Sequence, residues 1–525
     1  MGIFIYMNVS KSIADEEWEP FYEEATQLAQ KFGLFDIMKR EFYGGEMNCA
    51  VPVEEYEERG CRVWCTAGDL RSMQNAEGFY MPRDFRKWVM ATGQEEEVDA
   101  ILSVTSDSPY ARISDHGGWN RHLWGLWFNK TQGLPYHMYL LAIACVAAER
   151  FGNRVYVHGN ITRGQCRAAV KLAGEELGRE IPLPDTCDAE SLCCRISKLP
   201  LPEDEKVKMF FLTYLGGVYD VKCREILLKY FPDGLEQYWE NEFKNLKYIN
   251  YEKMEEFQKF LSMGYELKEL CEYISWHEEA SDTIAEAFIR YIMKTELHNK
   301  EKDCQDWLVT DCESEEPDSI YTQMAQCLFG GARNWRINRY VPLDELEQIL
   351  TAYFGMYCDV KAIIQEAVCQ EDKDTPADRM NAFMNEQQEA VMEEAEEYDI
   401  WYHQQLPFYK EGNRLSPKMK ENLDAFFLLY EGLHESEETY TSLDRGTLWE
   451  KCSFLIQNNR NLLLTEEQWN RIFKKIEEDK SSFARYYPMV RFRTTEPEFE
   501  CAVRGLALND DLWEYCRKNC PKVQE

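Results

Sequence analysis

Arg163, Arg167 and Lys171 recur at every fourth position, the spacing that places side chains along one face of a helix. The helix they would share opens at Thr162, a capping residue type, just after the turn-forming pair Gly159-Asn160. A helix start leaves N–H groups without partners and carries the positive end of the dipole, which suits a phosphate or a carboxylate. Asn160, Thr162, Arg163 and Arg167 are therefore the candidate anion ligands. The same residues also read as a capped helix with solvated cations. Cations in a first turn oppose the dipole unless a ligand or an acidic neighbour compensates.

A second group stands upstream, in the run Ser114-Asp115-His116-Gly117-Gly118-Trp119-Asn120-Arg121-His122. Its two glycines permit close backbone approach. Asp115, His116 and His122, together with His158 ahead of the glycine turn, are the candidate acid–base groups. Trp119 and Trp124 either offer a stacking surface or fill a core. No two histidines stand four apart, and the pairs Cys61/Cys65 and Cys516/Cys520 lack the two-residue spacing of a zinc knuckle. Neither a metal nor a cofactor is expected. Glycine-rich dinucleotide and phosphate loops, a Gly-x-Ser-x-Gly elbow and a calcium loop are likewise missing from the sequence.

The setting of these residues is unusual in charge. Residues 101–174 hold eight Lys and Arg against three Asp and Glu, and four of the eight histidines, in a chain of net charge -35. Of that net charge, -27 lies in residues 201–525. A pI near 4.7 opposes broad contact with nucleic acid or an anionic membrane surface, and it would steer a basic protein toward the chain. The leading expectation is a non-enzymatic protein that binds a basic protein partner through its acidic helical part, in an inhibitor- or immunity-type role. The alternative is an enzyme or ligand-binding protein that recognises a phosphate or carboxylate within residues 112–167. Nothing in the sequence sets an oligomeric state. Nineteen scattered cysteines, no basic-then-apolar leader and no apolar run of about 18 residues lead to the expectation of a reducing, cytoplasmic setting, without membrane and with thiols unbridged.

The elements that must position the candidates follow from periodicity. Residues 3–9 read as a strand, and apolar residues from Trp18 to Phe32 recur at helical spacing. Residues 61–66 and 101–105 read as short strands, and 134–151 as a helix that is apolar nearly all round and hence central to a core. Residues 154–158 form a strand and 163–177 the helix of the basic stripe, with Cys166, Ala169, Val170 and Ala173 facing inward. Paired prolines at 182–184 and 200–202 bracket the end of an α+β domain at 1–197. Helical periodicity then dominates, for example at 206–219, 221–231, 343–354, 360–369, 380–405 and 466–478. The expected order is an α+β domain at 1–197, an α-helical domain at 203–375 and an α-helical region at 376–525, the whole mostly α.

Overall fold

The structure is a computed structural model. It describes residues 2–104, 121–217, 219–276, 281–300, 312–317, 324, 337, 339–370, 379–380, 382–383, 398–436, 438–494 and 496–520. Eight strands are described: β1 (Phe4–Ser10), β2 (Leu34–Phe42), β3 (Gly45–Pro52), β4 (Tyr56–Glu58), β5 (Cys61–Asp69), β6 (Gln74–Pro82), β7 (Leu123–Lys130) and β8 (Val155–Gly159). Among them run the helices α1 (Asp15–Lys31), α2 (Phe85–Trp88) and α3 (Tyr136–Phe151), followed by α4 (Arg163–Leu177) and α5 (Ala189–Ser197). Beyond α5 the described regular structure is helical, so an antiparallel N-terminal region is followed by a helical one and the chain is mostly α.

By its contacts the chain divides into two units. One comprises Met1–Phe21, Arg86–Gly133 and His137–Glu386; the other comprises Tyr22–Phe85, Leu134–Tyr136 and Gln387–Glu525. This grouping is discontinuous, unlike the consecutive division at 1–197, 203–375 and 376–525 read from composition.

In the first unit β1 is the centre of a three-stranded sheet, with β7 and β8 antiparallel to it on either side. Ile5, Met7 and Val9 are buried on one face; on the other, Phe4 and Tyr6 are half-buried and the polar Asn8 and Ser10 are buried. Helix α3 joins β7 to β8. Leu140 through Ala147 on it are all fully buried, as the all-round apolar pattern requires. A separate core joins residues 98–102, α5 and the helices Glu203–Thr213 through Val360–Gln370.

Of the strand expected at 101–105, residues 101–104 are not extended, and 105 lies outside the described residues. Ala100–Val104 is a 3-10 turn, because Asp99 accepts the Ile101 N–H on its side chain at 2.9 Å and the Leu102 N–H on its carbonyl at 3.1 Å. Side-chain capping starts a turn where the apolar run alone suggested extension.

The second unit holds a five-stranded antiparallel sheet, ordered β3-β2-β5-β4 with β6 also paired to β5. Phe42, Met47 and Cys49 of this sheet share a core with Leu455, Trp469 and Phe473 from the C-terminal helices. The Ala50 N–H donates to the Leu464 carbonyl at 3.0 Å. The β2–β3 hairpin turns on Tyr43 and Gly44, both at positive φ (43° and 74°), the two-residue geometry that matches strand twist. Within the expected helix 380–405, residues 384–397 lie outside the described residues, and His403–Phe408 is a 3-10 turn that contains Pro407. No disulfide joins the described cysteines, and no described helix is long and apolar enough to cross a membrane.

Candidate functional site

Helix α4 begins as its sequence requires. Thr162 accepts the Gln165 N–H at 3.1 Å, the Gln165 side chain accepts the Thr162 N–H at 3.3 Å, and the reciprocal cap is complete. Cys166, Ala169 and Ala173 are buried, Val170 is half-buried, and Arg167 and Lys171 are exposed. Asn160 lies at the end of the sheet, where its side-chain oxygen accepts the Phe4 N–H at 2.9 Å.

The chain itself covers the start of this helix. Residues 312–317 cross it, and the Cys312 carbonyl accepts the Gly164 N–H at 2.8 Å. The Thr162 hydroxyl donates to the Ser314 carbonyl at 2.7 Å, and the Gln165 amide donates to the Glu316 carbonyl at 2.8 Å. Glu313 lies 3.6 Å from Arg163 and 2.7 Å from Arg167, and Glu315 lies 3.4 Å from Arg167. These carboxylates push the Arg167 guanidinium further above its already high range. Gly164 permits the approach, since a Cβ there would stand 2.2 Å from the Glu313 carbonyl oxygen. The unfavourable meeting of cations and helix dipole is thus compensated by an acidic neighbour from the same chain.

The described acid–base candidates, His122 and His158, have separate hydrogen-bond partners. Asp115 and His116 lie outside the described residues, as does Trp119. His122 accepts the Glu96 N–H on Nδ1 at 3.0 Å, and Trp124 lies under the Lys11 ammonium at 5.1 Å. His158 stacks between Tyr6 and Tyr156, with ring centroids 4.8 and 4.6 Å away. The Asn8 amide donates to His158 Nε2 at 3.1 Å and to the Ser103 hydroxyl at 2.7 Å. Burial lowers the His158 pKa to about 4. A ring that is neutral at pH 7, with its Nε2 lone pair already engaged, is placed for cross-strand packing rather than for proton transfer. His137, in α3, is also pushed down to about 4 by burial.

A concavity of the first unit, of about 860 Å³, lies elsewhere, and it is acidic. Glu96, Glu97, Asp99, Asp185 and Glu190 line it, against the cations Arg195 and Lys198. The buried pair Arg195–Asp99, at 2.7 Å, forms part of this lining, and Arg195 also donates to the carbonyls of Asn153 and Val155. Glu96, Glu97 and Asp185 are exposed. The loop that presents Glu96 is fastened by Glu95, which accepts from the Thr92 hydroxyl at 2.8 Å, the Gly93 N–H at 2.9 Å and Arg86 at 3.2 Å. Burial alone would raise the Glu95 carboxyl, but these hydrogen bonds outweigh it and hold the pKa at about 2. Such a groove can take ammonium or guanidinium groups. The run Glu95-Glu96-Glu97 was visible in the sequence; its meeting with α5, more than ninety positions away, was not. No group of metal-ligating side chains occurs among the described residues.

No family model, no curated protein and no solved structure matches the chain.

Proposed function

We propose that the chain is a non-enzymatic binding protein that takes a basic polypeptide in the acidic groove of its first unit. The observation that carries this reading is the groove itself, with exposed Glu96, Glu97 and Asp185 and its innermost cation, Arg195, bound to Asp99 and to backbone carbonyls. A lysine or arginine side chain of a partner would meet carboxylates there. The chain's net charge of -35 would accelerate the encounter and disfavour nucleic acid. Inhibition of a basic enzyme or toxin is the form of binding that this charge suits. A cytoplasmic setting belongs to the same proposal, supported by the absence of disulfides among the described cysteines.

The test uses the full chain immobilised against a cationic peptide and against proteins captured from its native cell. Association should slow as salt rises, because exposed charges are screened beyond about 8 Å at physiological ionic strength. The triple variant Glu96→Lys, Glu97→Lys, Asp185→Lys should abolish capture. Capture that is insensitive to salt, or that the triple variant retains, would contradict the reading.

A further inference from the structure

The second unit contains a cavity of about 510 Å³ between the turn after β5, the 3-10 turn His403–Phe408 and the helices Glu466–Glu478, Phe483–Met489 and Pro497–Leu508. Arg504 and Tyr486 both line it, and both are more than nine-tenths buried, at 7% and 1% exposure. Among the described residues, the Tyr486 hydroxyl has no hydrogen-bond partner, and neither has Arg504 Nε. A buried donor without an acceptor is rare in a folded protein, and two in one cavity point to something that accepts from both.

Arg504 is also unusual in its charge. One of its terminal nitrogens donates to the Leu70 carbonyl at 2.9 Å, but no described carboxylate reaches ion-pair distance of it. Glu500 and Asp69 act on it only through space. Burial lowers its pKa to about 10, the expected response of a desolvated and uncompensated cation. Other cations lining the cavity are satisfied: Arg71 by Asp69 at 3.1 Å, Lys475 by Asp510 at 2.6 Å and Arg471 by Glu467. The remaining wall is mixed: Gln404, Gln468 and Asp510, the last held by Lys475 and Arg485, stand in it beside apolar side chains. Ile472 and Ala507 are buried in it, and Phe408 stands 75% exposed at the rim with its ring available for stacking.

We infer that this cavity is a binding site for a small monocarboxylate with an aromatic or similarly apolar body. Its two carboxylate oxygens would accept from Arg504 Nε–H and the Tyr486 hydroxyl, and its ring would lie against Ile472, Ala507 and Phe408. Two unpaired donors and one uncompensated positive charge match a monoanion; a phosphate dianion would need further donors. The volume is that of an ordinary small-molecule pocket.

Thermal shift and calorimetry on the full chain test this, with 3-phenylpropionate, its neutral amide and inorganic phosphate as probes. The carboxylate should raise the melting temperature and the amide should not. Tyr486→Phe removes a hydroxyl that has no partner, so the ligand-free variant should be at least as stable as wild type, yet bind phenylpropionate about tenfold more weakly. Arg504→Met should lose binding altogether. Should that variant fail to fold, Tyr486→Phe and the amide still decide. Equal binding by wild type and Tyr486→Phe, equal binding of acid and amide, or binding of phosphate alone would overturn the inference, as would no binding of phenylpropionate at millimolar concentration.

Discussion

Arg163 and Arg167 at the start of α4 and Arg504 in the second unit are cations in two opposite states. The first two lie in the one basic stretch of an acidic chain, and each faces a carboxylate from residues 312–317. Arg504 lies in the acidic C-terminal part, is buried, and has a backbone carbonyl but no described carboxylate against it. Local excess of positive charge therefore marks where the chain satisfies itself. The unsatisfied cation stands where composition conceals it. Net charge along a sequence reports long-range steering, whereas a ligand site depends on which single group lacks a partner in space.

The largest expected effect sharpens this contrast within the second unit. Arg485 is buried and donates to the carbonyls of Leu506 and Asn509 and to Asp510, at 2.6–3.2 Å, which caps the end of the helix Pro497–Leu508. Arg485→Met leaves the Leu506 and Asn509 carbonyls without this donor, while Asp510 keeps Lys475, and should cost about 3 kcal/mol. Arg504→Met removes an uncompensated charge and should lie within about 1 kcal/mol of wild type without ligand. Urea midpoints of the two variants check the difference; equal losses would break the distinction between paired and unpaired cations.

The histidines of the basic stretch come next. His158 and His137 hold pKa values of about 4 when folded, below the ordinary value of 6.5. Between pH 6.5 and 4 the unfolded chain binds protons that the folded chain does not, so stability falls as pH falls through that window, by at most about 3 kcal/mol for each residue. His158→Gln should flatten part of this decline in a series of denaturation curves. An unchanged slope would mean that His158 titrates normally, and then it would add to the charge of the stretch.

A smaller effect is expected at Gly164. In a solvated helix, glycine to alanine would stabilise by about 1 kcal/mol. Gly164→Ala should destabilise instead, because the new methyl group meets the Glu313 carbonyl. Amide exchange in 312–317 should accelerate in the variant, and a gain in stability would show that this segment does not hold α4 in solution. The smallest effect is on Glu313→Gln with Glu315→Gln. Exposed pairs add little to stability, but this variant should acquire weak binding of inorganic phosphate that the wild type lacks, as read by chemical shifts of the α4 amides.

Much of the first unit was legible. The spacing of Cys166, Ala169 and Ala173 fixed the face of α4, and Thr162 with Gln165 fixed its start. Strands β2, β3, β4, β6 and β7 were not; in β2, for example, Lys39, Arg40 and Glu41 interrupt the alternation and a tyrosine, rather than asparagine or aspartate, opens its hairpin. The helix start at Thr162 was legible, yet the segment that covers it comes from about 150 positions away, a distance that no local pattern spans. Arg504 carried no signal at all, since its isolation is a property of packing.

The most direct test of where this protein takes an anion is a crystal structure of the full chain soaked with 3-(4-bromophenyl)propionate, read by the anomalous scattering of bromine. A bromine peak beside Phe408 is expected, with the carboxylate on Arg504 and Tyr486, and residues 312–317 still seated on α4. A bromine peak at the start of α4 with that segment displaced, and an empty cavity in the second unit, would contradict it.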